Sequence, residues 1–209
     1  MSFSDWEFFA AFPSQQVYVD LTAPLVGSGS LRLVGSAAGP GGLYGRWGQA
    51  TQHGFRQGRV STLLQPLAGL PGQDWYGVYS AASVVNLTGT AGTAYAAALV
   101  VGASPTSWEL QLLKVTAGLA TVPTVLAAQF FSCAFDQIVG MQLQWLSTPE
   151  TGVALSLSIG TALDYSDLVQ VLLAQDPSVD IQASEGEGPI AVLTATGSCR
   201  FDQTATEEI

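Results

Sequence analysis

The chain has 209 residues, 48% of them hydrophobic, and a formal net charge of −10, a length that suits one large domain with a proper core. Its six basic residues, Lys114 and five scattered arginines, make no basic stripe, which argues against nucleic acid as a partner. No apolar run approaches the roughly 18 to 20 residues of a membrane-spanning helix, so no membrane insertion of that kind is expected.

In chain order, Ser4 fits a helix N-cap before Asp5, Trp6 and Glu7, which predicts a short helical turn over residues 4–11. Acids stand there where a secretory signal carries positive charge, so no signal peptide is expected. Strands are predicted at residues 15–20, 29–35, 54–65, 75–83, 93–102, 106–116, 123–131, 138–147, 152–160, 167–174, 189–196 and 198–203. Turn signals rich in Gly and Pro separate many of them, at residues 39–42, 69–74, 102–105 and 147–152. Asp164 and Asp167 also suit a helix start, but Val169, Val171 and Leu173 alternate around Gln170, which favours a strand. Residues 176–188, with Asp176, Asp180, Glu185 and Glu187, read as an exposed acidic loop. Residues 204–209 read as a short polar, acidic C-terminal tail that frays. The whole, residues 1–209, is expected to be a single all-β domain: a two-sheet antiparallel β-sandwich with little helix.

The second half carries the clearest alternation. Trp108, Leu110 and Leu112 alternate with Glu109 and Gln111; Met141, Leu143 and Trp145 with Gln142 and Gln144; Val153, Leu155 and Leu157 with Ala154 and Ser156. Period two turns one set toward a core and the other away from it. The nine apolar residues named are therefore expected inside, between the sheets. Val34, Val78, Val100, Leu113 and Leu146 are expected outside, an apolar surface available for contact with other chains. Cys133 and Cys199 match no disulfide framework or metal-ligand spacing, and are expected as buried free thiols.

The strand order around Tyr95–Val101, Trp108–Val115 with Ala117 and Gly118, Met141–Trp145 and Val153–Gly160 resembles the concanavalin-A-like lectin/glucanase jelly roll, the superfamily that includes laminin G-like modules. The resemblance implies that the first pair and the last pair are hairpins. It also implies that the segment Phe3 to Trp6 pairs with the segment Cys199 to Asp202. Calcium is common in such domains, and Asp5 and Asp202, at ends that meet, are the residues the resemblance points to as ligands. The chain departs from the lectins in lacking their dense Asp/Asn ligand loop, and the spacing of residues 176–188 matches no EF-hand.

Catalytic constellations are sparse. Glycoside hydrolysis needs two carboxylates across the sugar bond, and the Glu-x-Asp-x-x-Glu strand of hydrolases in this superfamily is missing. His53 stands alone, and neither a Gly-x-Ser-x-Gly elbow nor a phosphate loop occurs. No catalytic residue is assigned. The aromatics Trp47, Trp75, Tyr76 and Tyr79 are the candidate ligand-binding residues, since rings with an apolar face and a polar edge suit sugar stacking. Trp75 and Tyr79 share a strand face, and Tyr76 takes the other.

From these features the expected function is that of a non-enzymatic structural component of a virus or phage particle, a decoration, tail or fibre-associated protein. It would act by packing against copies of itself or other particle proteins and reside in the virion. Glycan adhesion is a companion role on the particle. The alternative is a lectin-like carbohydrate-binding module, with glycoside hydrolysis a distant third.

Overall fold

The computed structural model describes residues 6–8, 16–34, 41–47, 57–79, 94–116, 122–148, 150–178, 189–194 and 197–209. Among them are the strands β1 (Trp6–Phe8), β2 (Gln16–Asp20), β3 (Ser30–Val34), β4 (Gly41–Trp47), β5 (Gln57–Ala68), β6 (Trp75–Tyr79) and β7 (Ala94–Val100). The second half adds β8 (Trp108–Val115), β9 (Thr124–Phe131), β10 (Val139–Thr148), β11 (Gly152–Gly160), β12 (Val169–Asp176), β13 (Pro189–Thr194) and β14 (Ser198–Glu208). No described residue is helical, and no helix is long and apolar enough to cross a membrane.

Every pairing is antiparallel, in a seven-stranded sheet β12-β11-β10-β5-β14-β3-β2, a four-stranded sheet β6-β7-β8-β9 and a three-stranded sheet β1-β4-β13. β13 also runs close beside β6. Both expected hairpins form, β7 with β8 and β10 with β11.

The alternation places the core as the sequence implies. Trp108, Leu110, Leu112, Met141, Leu143, Trp145, Val153, Leu155 and Leu157 are all buried in one cluster. Register explains the arrangement, because directly opposed residues share a face. Leu143 lies opposite Leu157 and Trp145 opposite Leu155 on one sheet; Leu110 lies opposite Leu99 and Leu112 opposite Ala97 on the other. Polar positions between them, Gln142, Gln144, Ser156 and Ser158, are only half-buried.

One ion pair crosses this core. Lys114 of β8, opposite Tyr95 of β7, reaches the Asp176 carboxylate of β12, with Nζ 2.7 Å from Oδ2. The Tyr95 hydroxyl donates to the same oxygen at 2.7 Å, and Ser178 donates to Oδ1 through its hydroxyl at 2.7 Å and its backbone N–H at 3.0 Å. Burial alone would raise the Asp176 pKa, but hydrogen bonds from Lys114, then Ser178 and Tyr95, outweigh it and hold the carboxyl below the usual range.

Several expectations are corrected. Of the predicted helical turn, residues 6–8 are the strand β1, paired through Trp6 with Trp47 of β4. The strand β4 begins inside a predicted Gly-Pro turn. It is flanked on both sides, by β1 and β13, and this pairing outweighs the poor strand propensity of its glycines. The described start and the finish do not pair: β1 joins β4, while β14 lies between β5 and β3. Residues 204–209 are no frayed tail, since β14 continues to Glu208 with Thr206, Glu207 and Glu208 opposite Val60, Arg59 and Gly58. Asp176 belongs to β12 and to the ion pair, not to an exposed loop. Val78 and Leu113 are buried, Val34 and Val100 half-buried, and Leu146 exposed as expected. Val78 lies opposite Ala97 on the inward face, so its parity turns it into the core.

Cys133 and Cys199 are buried free thiols. Desolvation pushes the Cys133 thiol up to about 11 and raises Cys199 as well, which keeps both protonated at neutral pH.

Candidate functional site

The outward face of the four-stranded sheet follows from register. Tyr76 and Val78 are buried on the inward side, so Trp75 and Gly77 take the opposite one. Pairing then sets a row across four strands: Trp75 opposite Val100, Val100 opposite Glu109, and Glu109 opposite Phe130. The next row is Gly77, Ala98, Gln111 and Ala128, of which Gly77 and Ala98 are buried, Gln111 is half-buried and Ala128 is exposed, so the face opens toward β8 and β9. Trp75 and Phe130 thus stand on the outermost strands of the four-stranded sheet, three strand spacings or about 14 Å apart, with β13 close beside β6.

Trp75 is half-buried, whereas Phe130 is 72% exposed. Between them sit half-buried Glu109 and Gln111, and the Gln111 amide Nε2 donates to Glu109 Oε2 at 2.8 Å. The floor is small by necessity at Gly77, where an added Cβ would lie 1.9 Å from the Ala97 carbonyl oxygen. Of the strands β6 to β9, the only basic residue is Lys114, and it points inward to Asp176. The outward face therefore carries one carboxylate and no cation among the described residues.

The position of Trp75 is set by the turn before it. Asp74 is fully buried, and its carboxylate accepts the backbone N–H of Leu70 at 2.6 Å and of Gly197 at 3.0 Å. Gly72 takes a positive φ of 69° and donates to the Val101 carbonyl, while Val101 donates to Asp74. The start of β6 is thereby tied to the end of β7 and to the start of β14.

Of the four aromatics singled out from sequence, only Trp75 is seen on this face. Tyr76 is a core residue whose hydroxyl donates to the Ala68 carbonyl, so it presents no ring to a ligand. The side chains of Trp47 and Tyr79 lie outside the described residues. Sequence reasoning missed Phe130, Glu109 and Gln111. The signal lay in their parity, since Glu109 and Gln111 alternate with the core residues of β8, but the register that adds Phe130 is not written in local sequence.

The calcium residues fare differently. Asp5 lies outside the described residues, as does His53. Asp202 accepts the backbone N–H of Val26 at 2.9 Å through Oδ2 and that of Gln203 at 2.8 Å through Oδ1. No cluster of three or more His, Cys, Asp or Glu residues suited to a metal occurs among the described residues. Each Asp202 oxygen thus accepts one backbone N–H, which ties β14 to the segment before β3.

The outward face of the seven-stranded sheet alternates polar residues with exposed Leu146 and Leu173. Gln142 Nε2 donates to Ser61 Oγ at 2.9 Å, beside Gln144, Ser156 and Ser158. Tyr165, at its margin, is held by its hydroxyl to the Gln203 carbonyl at 2.9 Å.

Comparison of the whole fold with solved structures finds extensive likeness at very low identity. A legume lectin-like domain from Entamoeba histolytica matches with a TM-score of 0.59 and 8% identity, over 94% of this chain and 89% of that one. An endo-β-1,4-glucuronan lyase from the fungus Trichoderma reesei matches with a TM-score of 0.61 and 9% identity, over 99% and 92%. A carbohydrate esterase from the Shiga toxin-encoding bacteriophage phi24B matches with a TM-score of 0.53 and 16% identity, over 96% and 89%. The fold is a concanavalin-like jelly roll. No family model matches the sequence, and the search of curated proteins gives no match. The jelly roll hosts lectin-like domains and carbohydrate-active enzymes alike, so fold alone does not select between them.

Proposed function

We propose that this jelly roll is a glycan-binding module that holds a short oligosaccharide across the outward face of the four-stranded sheet. The observation that carries the reading is the row Trp75–Val100–Glu109–Phe130, with aromatic residues on the outermost strands of the four-stranded sheet and a carboxylate-amide pair between them. Pyranose rings bury their C–H faces on aromatic side chains and give their hydroxyls to planar acceptors and donors, the two kinds of group this face offers. The carbohydrate-directed names of the fold neighbours support the ligand class.

Charge narrows that class. Glu109 and the net charge of −10 repel uronates. Neutral and amino-bearing sugars fit, and glucuronan, named for one neighbour, fits poorly. The reading is of binding without glycoside hydrolysis; the single carboxylate of the face among the described residues, Glu109, supports it, since that hydrolysis uses two.

Calorimetric titration with neutral, amino-bearing and uronate oligosaccharides tests this directly. Binding is expected for the first two classes and not for the third, with Phe130→Ala lowering affinity about three- to tenfold, the range of one aromatic stacking contact. Tight uronate binding, or neutral-sugar binding untouched in the Trp75→Ala/Phe130→Ala variant, would overturn it.

A second reading, a packing unit in a virus or phage particle with a virion location, is supported by one feature. This is the exposed apolar residues on the side of the sandwich formed by β9 and β12.

A further inference from the structure

The open part of the outward face lies on β8 and β9, where Glu109 and Gln111 are half-buried and Ala128 and Phe130 exposed. The two strands are in regular register here, from Trp108 opposite Phe131 to Leu112 opposite Ala127, and the irregularity in their pairing falls only beyond Leu112. Glu109 stands directly opposite Phe130, which puts their Cβ atoms about 5 Å apart. Gln111 fixes how the carboxylate is presented. A carboxylate only accepts, so the amide turns its Nε2 to Glu109 Oε2 at 2.8 Å and its own Oε1 away. Among the described residues no other hydrogen bond or ion pair reaches the Glu109 carboxylate, and Lys114, the one basic residue of β6 to β9, is engaged inward with Asp176. A neutral amide is thus all that meets this negative charge.

We infer that Glu109 makes the site selective for sugars with a free, protonated amino group over their hydroxyl and N-acetyl counterparts, an inference that rests on the glycan-binding reading of this face. An ammonium donates to Glu109 Oε1 in a charge-assisted hydrogen bond and lies beside the Phe130 ring, whose π-face also attracts a cation. A hydroxyl gives the same oxygen only a bond from a neutral donor. An acetamide brings one uncharged N–H and a carbonyl oxygen that the carboxylate repels. Half-burial strengthens the preference, because a charge partly withdrawn from water is screened less than one fully in it.

Calorimetric titration of the full chain with the β-1,4-linked glucosamine trimer, its fully N-acetylated form and cellotriose, three sugars that differ only at C2, tests the inference. At about pH 6 the glucosamine trimer is expected to bind about tenfold more tightly than either neutral trimer, the worth of one hydrogen bond to a charged group. That ratio is expected to fall toward one as pH rises to about 9 and the amines lose their protons. Glu109→Gln keeps the shape of the side chain and leaves a net charge of −9 (−10 + 1), so any general attraction of the acidic chain for cations survives it. The variant is expected to bring the ratio to about one, whatever becomes of the neutral affinity itself. A wild-type ratio near one at about pH 6, no binding of the glucosamine trimer, a ratio that persists at about pH 9, or one that survives Glu109→Gln would overturn the inference. Cellotriose or acetylated-trimer binding in the same titrations shows that glycan binding stands even where the amine preference fails. Should the variant not fold, backbone resonances of residues 109–111 in the wild type decide, since the glucosamine trimer must shift them more than cellotriose does.

Discussion

Single residues bear the stability of this sandwich at two kinds of place. In the core, Leu155 is 2% exposed and opposed by Trp145 and Ala174. Leu155→Ala is expected to cost about 2 to 5 kcal/mol, as buried leucine truncations do, measured as a shift of the urea midpoint at constant slope. At the ion pair, Lys114→Met leaves the Asp176 carboxylate buried without its cation. The expected loss is about 3 to 5 kcal/mol, and Asp176→Asn should lose less, since Tyr95 and Ser178 keep an acceptor. Acid sensitivity follows from the same groups. Asp20 is held below the usual carboxylate range by hydrogen bonds from the Thr22 hydroxyl and then Arg200, and Asp176 by Lys114 and its neighbours. A lowered folded pKa means that the unfolded chain binds protons more readily. Stability from these groups is therefore complete above the unfolded value of about 4 and drains away as pH falls below it. Urea midpoints should be level from about pH 7 to about pH 5 and drop below about pH 4, with a shallower drop in Asp176→Asn. The inward residues were legible in sequence because alternation reports which side of a strand is buried. The partners of Lys114 were not, because Asp176 sits beside a run of acids and Gly that reads as a loop, and the contact spans sixty-two positions of chain (176 − 114).

Strands, taken as elements, depend on what lies beside them. β6 must approach β7 closely enough that Gly77 meets the Ala97 carbonyl, so Gly77→Ala is expected to push the two strands apart. A cost of about 1 to 3 kcal/mol, typical of overpacking, together with weakened glycan binding from displacement of Trp75, is the outcome calorimetry should record. Twelve strands were legible because their runs alternate between turn signals. The strand β4 was not, since Gly41, Gly42 and Gly45 have weak propensity and only pairing with β1 and β13 on both sides makes the segment a strand. The extension of β14 to Glu208 was hidden for a related reason. Its acids suggest solvent, yet Glu207 lies opposite Arg59 and accepts from its Nε at 2.9 Å.

For the molecule as a whole, the architecture was legible and the site only partly so. Alternation and turn spacing specify two stacked sheets, whereas the row from Trp75 to Phe130 exists only once β6, β7, β8 and β9 are in register, and registry between distant strands leaves no local mark. Trp75 was found because tryptophan is conspicuous; Phe130 was passed over because phenylalanine in a strand ordinarily faces a core. The most direct test is nuclear magnetic resonance mapping of the chain titrated with a neutral oligosaccharide that binds it. Backbone shifts are expected to concentrate at residues 75–77, 98–100, 109–111 and 128–130 and to vanish in Trp75→Ala/Phe130→Ala. Shifts that concentrate instead on Ser61, Gln142, Gln144 and Ser156 of the seven-stranded sheet, or no binding by any oligosaccharide, would contradict glycan binding at this face.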